Sequence, residues 1–251
     1  MIKLKSKREI DQMKEAGKIV AEALQEMEQA IKPGITTAML DKIAEKLIRS
    51  YNAEPAFLGY HNFPASICAS VNNEVVHGIP GLRRLQEGDI ISIDVGVLLK
   101  GYHGDAAATF AVGKVSPQAR KLIDVTRTSL QKAIEAMQTG NKLSDISHAV
   151  QSYVESNSLS IVRNYVGHGI GEEMHEEPQV PNFGLPGRGP SLQPGLVLAI
   201  EPMVNIGTWE VKVLDDQWTV VTADGSLSAH FEHTVALGNN GPEVLTSPSL
   251  V

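Results

Sequence analysis

The chain has 251 residues, 42% of them hydrophobic and 20% charged, which is an ordinary globular composition with ample length for a core. A formal net charge of -7 argues against nucleic acid as the main partner, because phosphate recognition needs a basic surface. A single cysteine, Cys68, excludes an internal disulfide and a thiolate zinc site and points to the reducing cytoplasm; no signal peptide and no apolar run of roughly 20 residues, the length of a membrane helix, is visible.

Lys3, Lys5, Lys7 and Arg8 read as a solvated helix start. Ser6 and Glu9 have capping-box spacing, and Ile10, Met13, Ile19, Val20, Leu24, Met27 and Ile31 follow at helical spacing until Pro33-Gly34. Thr36 or Thr37 caps a second helix with Leu40, Ile43, Leu47 and Ile48 on one face. A third helix starts at Ser116-Pro117 and runs to about Gly140; a fourth spans Leu143 to Glu155. Strands are expected over Ile67–Val76, Asp89–Leu99, Ala106–Val112, Ile161–Val166, Leu196–Val204, Lys212–Val221 and Glu232–Leu237. The second and third of these are joined by a Gly-rich turn.

The strands carry an internal repeat. Gly88 to Asp94 reads like Gly195 to Glu201: a glycine, an apolar run, then a carboxylate. Thr109 to Gly113 reads like Thr234 to Gly238. Asp105 and Glu232 precede their threonines at even offsets, so each faces the same way as its threonine on a strand. Two similar halves, each with a carboxylate pair, predict a pseudo-twofold α+β fold with a site on the axis.

Asp94, Glu201 and Glu232 sit in apolar surroundings with no lysine or arginine in their immediate strand neighbourhoods. Burying an ionised carboxylate is very unfavourable unless it is paired or bound to metal. His168 lies in Gly-His-Gly-Ile-Gly, where the glycines let the backbone approach closely and leave the ring exposed. Asp94, Asp105, Glu201 and Glu232 with His168 make an oxygen-rich set whose charge balances two divalent ions, suited to manganese, iron or cobalt, with zinc allowed. His77, in a Gly-Pro turn motif, and His175 are placed to donate hydrogen bonds to a substrate carbonyl or oxyanion.

These motifs match a known family. Ser70-Val71-Asn72-Asn73-Glu74-Val75-Val76-His77-Gly78-Ile79-Pro80, Asp94-Val95-Gly96 with Asp105, Gly167-His168-Gly169-Ile170-Gly171, Glu176 to Pro178 with Pro181-Asn182, Ile200-Glu201-Pro202 and Phe231-Glu232-His233-Thr234 occur in an order that resembles the short bacterial type I methionine aminopeptidases. The resemblance runs from the first helix to about Leu245. It implies the pita-bread fold, with residues 1–251 forming one catalytic domain of two similar halves. It implies that Asp94, Asp105, His168, Glu201 and Glu232 hold two divalent ions (cobalt, manganese, iron or zinc), Asp105 and Glu232 bridging both. His77 and His175 then contact substrate, and Glu201 also shuttles a proton. Tyr60, Phe63, Cys68 and Trp218 fall at positions lining an apolar methionine slot, beside Met174. The implied partners are nascent polypeptides and peptides that begin with methionine, met near the ribosome. The implied protein is a cytoplasmic monomer with no membrane or nucleic-acid role.

Two positions depart from the family pattern. Met174 stands where an aromatic is usual, and His230 stands where glutamine is usual. Glu172-Glu173 makes the neighbouring loop unusually acidic. Proline-specific hydrolases share the five ligands but carry a large amino-terminal domain, which is not expected here. Nor is a zinc-finger extension, which one cysteine cannot build.

Overall fold

The structure is a computed structural model and describes residues 1–247. In chain order the elements are α1 (Lys7–Ala30), α2 (Thr37–Ser50), β1 (Glu54–Pro55), β2 (Cys68–Val71), β3 (Glu74–Val76), β4 (Ile90–Leu99), β5 (Tyr102–Ala111), α3 (Pro117–Ala136) and α4 (Leu143–Ser156). They continue with β6 (Ser160–Ile161), β7 (Gly167–Gly169), β8 (Glu176–Val180), β9 (Val197–Ile200), β10 (Met203–Asn205), β11 (Val211–Val213), β12 (Val220–Thr222), β13 (Ser228–His230), β14 (His233–Gly238) and β15 (Gly241–Val244). Helices grouped against antiparallel sheets make this an α+β architecture, as expected. None of the described helices is long and apolar enough to cross a membrane.

Local chemistry accounts for the helix ends. The Ser6 hydroxyl accepts from the Glu9 N–H while the Glu9 carboxylate accepts from the Ser6 N–H, closing a capping box at the start of α1. Thr36, not Thr37, caps α2 by accepting from Met39 N–H. Ser116 caps α3 with Pro117 in the first turn. That helix ends at Ala136, one turn short of Gly140.

The chain folds as two similar halves. In the first, α1 and α2 lie against a sheet in which β4 pairs with β5 on one edge and with β1 and β2 on the other. Its core includes Val20, Met27, Leu40, Ile48, Ile91, Ile93 and Val95. In the second, α3 and α4 cover a sheet ordered β15-β14-β9-β7-β8, over a core including Leu122, Ile146, Val150, Leu198 and Val235. Each fully buried Leu or Ile contributes about 1.5–3 kcal/mol, so these two cores hold the halves rigid beneath the strands that carry the site.

Several strands are shorter than expected. Ile67–Val76 is two strands, β2 and β3, separated by a turn in which Asn72 takes a left-handed conformation (φ 60°). Leu196–Val204 breaks after Ile200, because Pro202 has no N–H to donate to a ladder. Lys212–Val221 is a hairpin, β11 and β12, with Gln217 at φ 65° in its turn. Of Ile161–Val166 only Ile161 lies in a strand. Lys5 also departs from expectation: it is buried and ion-paired to Glu176, tying the amino-terminal segment to β8.

Candidate metal centre

The long β4–β5 hairpin places the first two carboxylates. Asp94 is opposite Ala107 and Asp105 is opposite Gly96, so all four positions share one face of the sheet. With no side chain on Gly96, space remains above the hairpin. A Cβ there would come within 2.6 Å of Phe57 and 2.8 Å of Met174.

The second half meets this face across a pseudo-twofold axis. Glu232 N–H donates to Ala107 O (2.9 Å), and Ala107 N–H donates to Glu232 O (3.3 Å). Two threonine clamps flank this pair. Thr234 Oγ1 accepts from Asp105 N–H (3.0 Å) and donates to Asp105 O (2.8 Å). Thr109 Oγ1 accepts from His230 N–H (2.9 Å) and donates to His230 O (2.8 Å). The repeated threonines thus perform the same task in opposite halves.

Glu201 follows directly on β9, whose last residue, Ile200, is opposite His233, so Glu201 comes beside Glu232. Asn182 Nδ2 donates to Glu201 O at 3.0 Å and fixes its backbone. His168 is on β7 opposite Ala199. Contrary to expectation, its ring is not exposed but buried, 7% accessible, because the flanking glycines bring β7 tight between two strands. His168 Nδ1 is 2.9 Å from Gly169 O. Since a carbonyl only accepts, Nδ1 carries the proton and Nε2 keeps a free lone pair.

One ligand atom each from Asp105, His168 and Glu232 lie within 4.8 Å of one another. His168 Nε2 is 3.6 Å from Glu201 Oε1. The buried oxygens Asp94 Oδ1, Asp105 Oδ1 and Glu232 Oε1 have no hydrogen-bond partner. Burial pushes the Asp94 carboxyl up to about 7 and holds Asp105, Glu201 and Glu232 well above the usual carboxylate range; mutual repulsion adds to this at Asp105 and Glu232. Burial lowers His168 to about 3 and His77 to about 4, so both rings are neutral at physiological pH. Neutral imidazole and orphaned carboxylate oxygens clustered in this way fit hard or borderline divalent cations.

All five of these residues line one cavity of about 420 Å³, shared with Tyr60, Phe63, Cys68, His77, His175 and Trp218. Phe63 and Trp218 meet edge to face, with centroids 5.0 Å apart. His175 is exposed at the mouth, its Nδ1 2.7 Å from the Tyr60 hydroxyl and its ring 4.3 Å from that of His168. Burial pushes the Cys68 thiol well up, which keeps it protonated and unfit as a nucleophile. Met174 does not line the cavity. It is buried beneath it with Phe57 and Tyr60 and shapes the slot from behind. Phe57 and His61 also line the cavity and were not anticipated. Neither stands in a motif, and only proximity to Tyr60 in sequence hints at them.

The chain matches the family model described as metallopeptidase family M24 over residues 11–239. It is 60% identical to "Methionine aminopeptidase" of Clostridium acetobutylicum, over 98% of this chain and 99% of that protein. It is 55% identical to "Methionine aminopeptidase 1" of Bacillus subtilis over the same shares. The solved structure of methionine aminopeptidase from Rickettsia prowazekii superposes with a TM-score of 0.97 at 43% identity, covering 98% of this chain and 100% of the other.

Proposed function

The chain belongs to metallopeptidase family M24, among its methionine aminopeptidases, and we propose that it removes the amino-terminal methionine from peptides and nascent proteins by hydrolysing their first peptide bond. The observation that carries this reading is the convergence of four carboxylates and a neutral imidazole in one partly apolar cavity, with three carboxylate oxygens left unpartnered.

Asp94, Asp105, His168, Glu201 and Glu232 are the residues that would hold two divalent ions. When bound, such ions supply Lewis acidity, an anchor for the free amino terminus and water with a pKa near neutrality. The chain's own residues do the rest. Phe63, Trp218 and Cys68, with Tyr60 and Phe57, form an apolar slot for the methionyl side chain and exclude water from it. His175, oriented through Nδ1 by Tyr60, turns its other ring nitrogen to the scissile carbonyl and donates a hydrogen bond to the developing oxyanion. Glu201 carries a proton to the leaving amine. His77, a neutral ring of the cavity lining set edge-on to Trp218, holds the new amine or the adjacent amide.

The two halves act together as one catalytic unit. The protein is a cytoplasmic monomer that meets its substrates as they leave the ribosome, in keeping with its buried lone thiol. Light scattering of the purified protein tests the monomer.

The activity is tested by offering the purified protein, with manganese or cobalt added, Met-Gly-Met-Met and Gly-Pro separately. The proposal expects methionine release from the first, no cleavage of the second, and loss of release in Glu201→Ala with folding intact. Cleavage of Gly-Pro alone would place the chain with the proline-specific hydrolases instead.

A further inference from the structure

We infer that His230 is a positioning residue that fixes the Glu201 carboxylate, an inference that rests on the metal-centre reading above. The pseudo-twofold relation singles it out. Thr109 and Thr234 are equivalent positions of the repeat, and each clamps the backbone of the residue four places before the other. Ala107 and Glu232, two places before their threonines, pair with each other across the axis. His230 is therefore the counterpart of Asp105. One half presents a carboxylate to the centre from this position; the other presents an imidazole.

The imidazole does not line the cavity; it lies behind Glu201. It is 2% accessible, and its Nε2 is buried with no hydrogen-bond partner. The nearest acidic group is Glu201, whose Oε2 is 3.6 Å away, while the other oxygen, Oε1, is 3.6 Å from His168 Nε2. Glu201 thus stands between two rings, one on the cavity side and one behind. A carboxylate only accepts, so the nitrogen facing it attracts it when it carries a proton. At 3.6 Å the ring draws one oxygen of Glu201 from behind by electrostatic attraction rather than by a hydrogen bond, and leaves the other free toward the centre. Burial confines the ring, while Thr109 pins the His230 backbone at both N–H and C=O and β13 holds His230 opposite Met203 in β10. Supports of this kind behind a ligand typically contribute 10- to 100-fold in metal affinity or turnover.

The test compares wild type with His230→Leu and His230→Gln. Leucine fills the space without a donor, and glutamine restores an N–H of similar reach. Mn²⁺ binding to the chelated proteins is followed by calorimetry, and methionine release from Met-Gly-Met-Met is followed in Mn²⁺. Expected is a 10- to 100-fold loss in Mn²⁺ affinity and in kcat for His230→Leu, with KM unchanged, and recovery to within about threefold of wild type in His230→Gln. The inference is overturned if His230→Leu binds Mn²⁺ and turns over as wild type does. It is equally overturned if both variants lose stability and activity together, since the ring would then be packing only. A wild type that binds Mn²⁺ but releases no methionine would overturn the aminopeptidase reading, and the calorimetric comparison would still decide the role of His230.

Discussion

Thr234 and Asp105 lie 129 residues apart in the chain, yet the Thr234 hydroxyl satisfies both the N–H and the C=O of Asp105. The clamp joins the two halves at the point where a carboxylate must be aimed. Thr234→Val removes the hydroxyl and leaves two buried backbone groups without partners, at a cost of about 1–3 kcal/mol each. Urea unfolding of the metal-free protein should show the loss in Thr234→Val and its recovery in Thr234→Ser. Mn²⁺ affinity should fall alongside, because Asp105 loses its anchor.

Asp105→Asn should separate stability from function. Four carboxyls crowd a buried site, and each raises the cost of ionising the others. Removing one charge should raise the melting temperature of the chelated protein. The same change should shrink the stabilisation given by added Mn²⁺ and reduce methionine release at least 100-fold, because a carboxylate of the candidate cluster is lost.

Stability of the metal-free protein should fall as pH rises above about 6.5. Asp94 titrates at about 7 when folded, against an unfolded value near 3.9. The folded state therefore binds more protons in that interval, and the stabilisation present at low pH is lost through the folded pKa. Asp105, Glu201 and Glu232 shift in the same direction. His77, His168 and His233 act oppositely, with folded values of about 4, 3 and 4, but their gain is complete once pH exceeds their unfolded value of roughly 6.5. Calorimetric scans in chelator from pH 6.5 to 8.5 should show a falling melting temperature. The rise produced by Mn²⁺ should be larger at the alkaline end, where its ligands are already deprotonated.

Two glycines of the site should respond differently to alanine. A Cβ on Gly167 would lie 2.4 Å from the backbone oxygen of Ala199, which cannot move without opening β7 from β9. Gly167→Ala should cost about 1–3 kcal/mol or more and weaken Mn²⁺ binding by displacing His168. At Gly96 the obstacles are the ends of Phe57 and Met174, which can shift. Gly96→Ala should be better tolerated in thermal melts but should raise KM, because Phe57 lines the slot.

Sequence was most informative where one residue determines local geometry. Ser6 with Glu9, and Ser116 with Pro117, begin α1 and α3 where their capping chemistry demands. The repeat around Thr109 and Thr234 anticipated two related halves. It did not show that Asp105 corresponds to His230 rather than to Glu232, because that correspondence appears only when β5 crosses the β13–β14 segment. Strand ends were less legible. The β7 sequence is Gly-His-Gly, which has little strand propensity alone and pairs only because β8 and β9 enclose it. The same enclosure buries His168, where glycine flanks alone suggested exposure. Phe57 and His61 reach the cavity through a turn around Gly59, a left-handed position (φ 85°) whose consequence for side-chain placement is tertiary. Met174 lies next to His175 in sequence, but the backbone direction sends one to the core and the other to the mouth.

The most direct test of the metal centre is the stoichiometry of Mn²⁺ bound by the chelated, folded protein, measured by calorimetry and checked by elemental analysis. The account predicts two ions per chain in wild type, with weakened or lost binding in Asp105→Asn and in Glu232→Gln. A folded wild type that binds no divalent ion, or variants that bind two ions as tightly as wild type, would contradict it.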